Sequence, residues 1–440
     1  EKESLRVDSD GRIARTAHPA ALGSSLTHEH ITTDYSEALL ELVTPTFTES
    51  WELLQYLTDL HQFVYGHLDQ EVLWATSMPC RLRGDASIPI AEFGRSNVAK
   101  MKNVYRRGLG LRYGRIMQAI SGVHFNYSFP SHFWEVWSEV CEHKEGASQD
   151  FISASYFDVL RNYRRHGWIV PYLFGASPAV CRSFVDGRDD HGLAELGQGT
   201  LYSPHATSLR MSDLGYRNKN QAAVTISVNS LDEYIRDLSA AISTPNPDYQ
   251  RLGVEVDGDW RQLNANTLQI ENEYYAFIRP KRVAFSGERP TKALRRAGVQ
   301  YVEMRSLDVS VLDPVGVNQG KLRFLEAFAA FCVLAPSALL SPTEQRALDA
   351  NHAMHVEQRR QRCLGRREGS VGRERIAGVI LKNMHMSIAG TRWRSPGRRA
   401  RMWIKGQAGA RHDTLMQERS EEHTSELQSH HDLVCRLMLE

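Results

Sequence analysis

The stretch EKESLRVDSDG, residues 1–11, alternates: Glu1, Glu3, Leu5 and Val7 fall two apart before Asp8-Ser9-Asp10-Gly11. A period of two marks a strand, and the Asp/Ser/Gly cluster reads as the turn that ends it. Glu1 and Glu3 therefore share one face. Two carboxylates on one strand face form either a solvated edge or a cation site, and the spacing alone leaves both open.

The same alternation recurs downstream. In SGVHFNYSF (121–129), Val123, Phe125, Tyr127 and Phe129 make an apolar face. His124, Asn126 and Ser128 put an imidazole, an amide and a hydroxyl on the other. A lone strand histidine is ordinarily a hydrogen-bonded surface or core residue; its polar company makes His124 a candidate ligand. In YVEMRSLDV (301–309), Tyr301, Glu303, Arg305 and Leu307 share one face, and Val302, Met304 and Ser306 the other. Glu303 and Arg305 are either a surface ion pair worth under about 1 kcal/mol or, in a concave sheet, holders of a metal and a phosphate. LQIENEYYAFIRPKR (268–282) reads as a third such strand, with Glu271, Glu273 and Tyr275 on one face.

ITTDYSEALLELVTP (31–45) reads differently. Asp34 stands where a helix N-cap is expected, and Tyr35 to Leu42 carry helical periodicity. Glu41, seven residues on, would face the same way as Asp34. The plain alternative is a capping Asp with a solvated Glu. The apolar Ala38, Leu39, Leu40 and Leu42 weaken it.

The bulk of the chain is that of an ordinary globular protein, 42% apolar and 24% charged over 440 residues. No apolar stretch approaches the ~20 residues of a bilayer span, and no signal peptide is visible. The six cysteines lie far apart without a CxxC pair, which argues against zinc ribbons and disulfide scaffolds and fits a reducing cytoplasm. Cys80 reads as a packed structural thiol. Helices are expected from Ser50-Trp51 onward and over Phe151–His166, Leu231–Ile242 and Lys321–Leu334. Strand-like stretches lie between them without a βαβ rhythm, so the fold class is α+β with a mostly antiparallel sheet. There is neither a P-loop nor a GxGxxG after a strand. A bound nucleotide would have its phosphates held by metal ions on carboxylates and by arginines.

Charge divides the chain. Residues 357–440 hold 15 Arg and 2 Lys against 10 acids, whereas residues 1–356 hold 36 basic and 42 acidic side chains. The stretch RRQRCLGRREGSVGRER has no hydrophobic period with which to bury a face. An Arg-rich arm for nucleic acid is one reading; GC-rich DNA translated out of frame is the other. RSEEHTSELQS (419–429) resembles the translation of a sequencing adapter and favours the second. Residues 357–440 are therefore expected to be a non-native, disordered tail. Residues 1–356 are expected to be a catalytic domain incomplete at both ends, as the missing initiator methionine also suggests.

Ten ordered segments carry a specific resemblance. EKESLRV, AHPAALGSSLTH, ITTDYSEALLE, SMPC, YRRGLGLRYG, SGVHFNYSFP, NYRRHGWIVPYLFGASPAVC, SPHATSLRMSDLGY, LQIENEYYAFIRPKR and YVEMRSLD are similar to the bacterial glutamate–cysteine ligases throughout residues 1–355. The resemblance implies a fold like glutamine synthetase: a curved, mostly antiparallel sheet forming a cup, with helices outside. It implies a cytoplasmic, ATP-dependent ligase that joins L-glutamate to L-cysteine in glutathione biosynthesis, partnered by small molecules and by neither nucleic acid nor membrane. Glu1, Glu3, Asp34, Glu41, His124 and Glu303 match the family's metal positions, for Mg²⁺, with Mn²⁺ better suited to His124. Arg305 matches a phosphate-contacting arginine, and with Arg210 is expected to act catalytically. Tyr35, Tyr105, Arg106, Arg210, Tyr216 and Tyr275 fall where the family contacts substrate. Many relatives have Arg where this chain has Lys2, on the opposite strand face. The alternatives are the same chemistry with another amine acceptor, or an inert fragment.

Overall fold

The computed structural model describes residues 1–188, 191–215 and 224–357. Two units result: one holds residues 1–130 and runs on from Ser148, the other holds residues 131–147 among those described. Tyr216 and the tail beyond Glu357 lie outside the described residues.

The first unit starts with β1 (Lys2–Val7), β2 (Ile31–Thr33) and β3 (Leu39–Leu42). Helix α1 (Ser50–Tyr65), β4 (Val72–Leu73), helix α2 (Asn97–Tyr113) and β5 (Gly122–Tyr127) follow. Helix α3 (Ser131–Val140) belongs to the second unit. Back in the first come α4 (Gln149–His166), α5 (Ile169–Phe174) and a three-stranded sheet of β6 (Ala179–Cys181), β7 (Ala194–Leu196) and β8 (Thr200–Tyr202). Helices α6 (Leu231–Ala241) and α7 (Pro247–Leu252) precede the hairpin of β9 (Glu255–Val256) and β10 (Asp259–Trp260). The described chain closes with β11 (Ile278–Lys281), α8 (Pro290–Ala297), β12 (Tyr301–Asp308), α9 (Gln319–Leu334) and α10 (Pro342–Glu357).

Among the described residues seven strands form the main sheet, in the order β11-β12-β5-β1-β3-β2, with β4 also paired to β1. Every pairing is antiparallel. The fold is α+β, as expected. Register decides what the sheet displays, because residues directly opposite each other point to the same face. Glu3 stands opposite Glu41, and Glu303 opposite both Asn126 and Arg279. One face of the sheet is therefore studded with charge.

The other face is apolar and covered. Val302, Met304 and Ser306 are all buried, and the Ser306 hydroxyl sits 2.5 Å from the Tyr163 hydroxyl of α4. Helix α5 packs on β12, α4 on β11, and α9 on α4, where the Tyr163 and Phe328 rings meet at 5.5 Å. Each buried aliphatic or aromatic side chain here stabilises the fold by roughly 1.5–3 kcal/mol. Helix α4 starts where Ser148 accepts from the Phe151 N–H and ends in Arg164, Arg165 and His166, cations suited to a helix C-terminus. Helix α9 is capped likewise by Asn318 on the Lys321 N–H. Lys2, on this covered face, brings its ammonium within 3.0 Å of His61 Nε2.

Two expectations fail. Residues 34–42 are not a helix capped by Asp34: β2 and β3 form a hairpin across them. Its five-residue loop is closed by Asp34 N–H to Leu39 O (3.0 Å) and Leu39 N–H to Ser36 O (2.9 Å). The short apolar run Ala38–Leu42 fits either period; pairing with β1 on one side and β2 on the other selects the strand. Nor is 268–282 one long strand. A 3₁₀ turn occupies Glu271–Glu273, and only Ile278–Lys281 is strand. Glu271 is turned away to accept from the Thr291 hydroxyl at 2.7 Å, so it does not share a face with Glu273 and Tyr275. The turn persists because the Glu273 carboxylate is engaged locally, accepting from the Gln269 N–H at 2.6 Å.

Candidate functional site

The charged face of the sheet opens into a cavity of about 430 Å³. Its carboxylates arrive from neighbouring strands. Glu3 lies on β1 with Glu1 just before it, Glu41 on β3, Glu303 on β12, and Asp34 in the β2–β3 loop; all five line the cavity. His124 of β5 stands among them.

Distances define the centre of this group. His124 Nδ1 lies 3.3 Å from Glu1 Oε2 and 3.9 Å from Glu303 Oε1, and His124 Nε2 lies 3.7 Å from Glu3 Oε1. Glu1, His124 and Glu303 each offer a ligand atom within 4.8 Å of the others. Donors orient the set: Asn126 Nδ2 to Glu1 at 2.8 Å, the Gly122 N–H to Glu3 at 2.6 Å, and Arg305 Nη1 to Glu303 at 2.9 Å.

The electrostatics are those of a site built for a cation. Burial raises the Glu3 carboxyl, as does Asp34, to about 8 despite Arg210 and Arg305. Glu41 is also pushed well up, by burial and then by Glu1, Asp34 and Glu3. Burial would raise Glu303 too, but Arg305, Lys281 and Arg279 outweigh it and hold the group at about 2. Burial and then Arg305 depress His124 to about 4, so the imidazole is neutral and able to ligate. His124 Nε2 and Glu303 Oε2 are buried without a hydrogen-bond partner among the described residues. Orphaned ligand atoms amid crowded carboxylates fit a divalent cation with oxygen ligands. The imidazole adds a nitrogen ligand, which hard Mg²⁺ accepts less readily than a transition-series ion does.

Arg210 reaches the cavity from a short 3₁₀ turn, Leu209–Met211. Its Nη2 donates to Arg305 O at 2.9 Å, and its Nη1 is 3.8 Å from Asp308, which is itself fixed by the Ser177 and Ser208 hydroxyls at 2.6 and 2.8 Å. A methyl group at Gly122 would come within 2.0 Å of Arg210 Nη2. A side chain there would push the guanidinium out of this position.

The remaining wall comes from α2 and from the turn at 271–275. Tyr105 and Arg106 of α2, with Tyr35 and Tyr275, line it. Arg106 donates through Nε to Asp34 O and stacks 4.5 Å from the Phe93 ring. The Tyr275 hydroxyl meets Gln118 at 3.0 Å. Behind them lies an ion pair with both side chains fully buried: Arg112 Nη1 to Glu273 Oε1 at 3.0 Å, with the Tyr113 hydroxyl on the same oxygen at 2.7 Å. The structure thus brings together every expected site residue except Tyr216, which lies outside the described residues. Cys80 does not line the cavity; it is partly buried beside Cys181, and burial helps push its thiol up to about 11.

Sequence reasoning missed Lys102, Gln118, Arg279 and Lys281 as cavity residues, and Arg112 as the partner of Glu273. The basic pair in FIRPKR was a signal for Arg279 and Lys281, since the two are spaced to share a strand face. Nothing local marked the others.

The chain also matches known proteins in sequence and in fold. Residues 1–355 match the family model described as glutamate-cysteine ligase. Glutamate–cysteine ligase of Alcanivorax borkumensis is 53% identical over 356 residues, covering 80% of this chain and 67% of that protein. That of Hahella chejuensis is 54% identical over 361 residues, covering 82% and 68%. A crystal structure of the Francisella tularensis glutamate–cysteine ligase in complex with AMP superposes with a TM-score of 0.81 at 36% identity, over 92% of this chain and 80% of that one. A bifunctional glutathione synthetase from Pasteurella multocida, at 24% identity and a TM-score of 0.69, shares the fold. A conserved family model over four-fifths of the chain, relatives above half identity and a superposable solved structure converge: this chain belongs to the glutamate–cysteine ligase family.

Proposed function

We propose that the cavity activates the γ-carboxylate of L-glutamate with ATP and delivers it to the α-amine of L-cysteine. As a glutamate–cysteine ligase, the chain uses ATP as co-substrate in glutathione synthesis. A carboxylate does not condense with an amine at neutral pH, because oxide would have to leave. Transfer of the terminal phosphoryl group to the γ-carboxylate gives γ-glutamyl phosphate and ADP. The neutral amine of cysteine then attacks the acyl carbon, the peptide bond forms, and phosphate departs.

The residues divide this work. Glu1, Glu3, Asp34, Glu41, His124 and Glu303 would hold Mg²⁺, which when bound neutralises charge on the phosphate oxygens. Arg305, fixed by its bond to Glu303, presents a planar fork to a phosphoryl group, a contact lysine could not reproduce. Arg210, braced by Asp308 and the Arg305 carbonyl, stabilises charge that develops during transfer. Tyr35, Tyr105, Arg106 and Tyr275 hold the amino acids, and Tyr216 is read with them. The sheet serves as the curved floor of a glutamine-synthetase-like cup, in a cytoplasmic enzyme whose partners are small molecules.

The observation that carries this reading is the joining of a carboxylate–histidine cluster and Arg305 through Glu303 in one cavity, within a chain of this family. The test is ADP release. It should require glutamate, cysteine and Mg²⁺ together, with α-aminobutyrate a weaker acceptor because the amine, not the thiol, attacks. Another amine outcompeting cysteine would overturn the acceptor assignment.

A further inference from the structure

Arg279 lies on β11 directly opposite Glu303 of β12, and its side chain lines the cavity although the residue is only 7% exposed. One end of the guanidinium is tied down: Nη2 donates to the backbone carbonyls of Asn272 at 3.2 Å and of Tyr274. The Nε–H is different. It is buried and has no hydrogen-bond partner among the described residues.

The nearby carboxylates leave this N–H unanswered. Glu303 Oε1 accepts from Arg305, and its Oε2 faces the Lys281 ammonium at 3.5 Å. Glu273 is taken by Arg112, Tyr113 and the Gln269 N–H. Buried donors in folded proteins are almost always paired. A guanidinium that lines the cavity, is held by one nitrogen and has its hydrogen-bonding capacity only partly used is pre-organised for an acceptor that arrives with a ligand. Arginine selects planar or tetrahedral oxyanions for that role.

We propose that Arg279 is a further substrate-binding residue whose guanidinium takes an oxyanion of a bound substrate. The carboxylates of the two amino acids and the phosphoryl oxygens of the nucleotide share that chemistry. The tie to Asn272 and Tyr274 also couples the contact to the turn that carries Tyr275, so binding at Arg279 orders the wall where the tyrosines stand. The assignment rests on the ligase reading above.

The experiment compares the parent with Arg279→Met, which removes the donors, and Arg279→Lys, which keeps the charge. KM is measured separately for glutamate, cysteine and ATP, alongside the melting-temperature shift that each of the three produces alone. Arg279→Met should raise one KM at least tenfold, leave the others within about twofold, and shrink the melting shift for that same ligand; Arg279→Lys should recover part of both. A change in an amino-acid KM identifies a carboxylate, and a change in the ATP KM identifies a phosphoryl oxygen. Three unchanged KM values with unchanged melting shifts would overturn the proposal. So would a fall in the ligand-free melting temperature with every KM preserved, which would make Arg279 a structural tie for the turn. If the parent shows no glutamate-dependent ADP release, the ligase reading fails, and the single-ligand melting shifts still decide Arg279.

Discussion

Two kinds of wall enclose the cavity. The strand-built wall takes Glu1, Glu3, His124, Glu303 and Arg305 from β1, β5 and β12, adjacent strands whose alternation aims these side chains to one side. The other wall takes Tyr105 and Arg106 from a helix, Arg210 from a 3₁₀ turn, and Tyr275 from the segment after another. Its rigidity comes from a buried pair, Arg112 with Glu273, whose members are 161 residues apart. The first wall concentrates charge that needs a counter-ion; the second neutralises its own. Changes to the first should therefore appear in turnover, and changes to the buried pair that braces the second in stability.

Glu303→Gln is the strongest test of the first half of that statement. The amide keeps the size of the side chain and leaves an oxygen for Arg305, but removes charge from the centre of the cluster. Turnover should fall by roughly 10²–10³, with extra Mg²⁺ recovering little. That is far more than the accompanying fall in the denaturation midpoint, which follows from leaving Arg305, Lys281 and Arg279 without this charge, accounts for. Retained turnover with a lost midpoint would reverse the roles of the two walls.

Glu273→Gln tests the second half. It removes the carboxylate charge that faces the buried Arg112 guanidinium, and breaking such a pair costs about 3 kcal/mol or more. Denaturant unfolding should show that loss, with substrate affinities changed less than stability. A smaller effect is expected for Arg305→Lys: the charge stays, the fork is lost, and the ATP KM should rise by about tenfold with the fold intact.

The two walls also differ in how far the sequence disclosed them. Alternation in residues 1–7, 122–127 and 301–308 needs only a period of two, and that period survived folding, so Glu3, His124, Glu303 and Arg305 were legible. Asp34 and Glu41 enter the site through the family resemblance, and the local period misreads how they come to face it. Their face was argued from a helix, whereas cross-strand register sets Glu41 beside Glu3. Glu271 was misplaced because side-chain bonds to Thr291 and within the 271–273 turn overrode the strand pattern. Arg112 with Glu273 was invisible, since no local period links residues so distant in sequence.

The strand-built wall should also respond to pH in a way the other does not. In metal-free protein Glu3 titrates near 8, and Glu41 is raised as well, so between pH 6.5 and 8 the folded state holds protons that the unfolded chain has already lost. Stability must then fall as pH rises through this window, by up to about 2 kcal/mol for Glu3. His124 and His61, both lowered to about 4, act in the opposite direction but only below 6.5. Lys2, lowered to about 8, contributes only above the window. Mg²⁺ should restore the loss, with its melting-temperature shift larger at pH 8 than at 6.5. An equal shift at both pH values would mean that the cation does not compete with protons for Glu3.

The smallest expected effect separates the two faces of a single strand. Met304 lies between Glu303 and Arg305 in β12 and is 1% exposed on the covered side, with Val302 and Ser306. Leucine is close to methionine in volume, so Met304→Leu should cost under about 1.5 kcal/mol, felt through packing under the helices. Turnover should persist, because the backbone register that sets Glu303 opposite Asn126 and Arg279 is held by β5 and β11 and not by this side chain. The strand does have a weak point: its pairing with β5 shifts register between Met304 and Leu307, so Arg305 sits inside an irregular segment. A leucine that repacked this segment would turn Arg305 out of line without unfolding anything. The decisive measurement is therefore the ATP KM of Met304→Leu beside its denaturation midpoint. A modest midpoint loss with an unchanged KM would show the charged face to be insulated from its packing. A tenfold rise in KM at the same midpoint would show that the irregularity couples them.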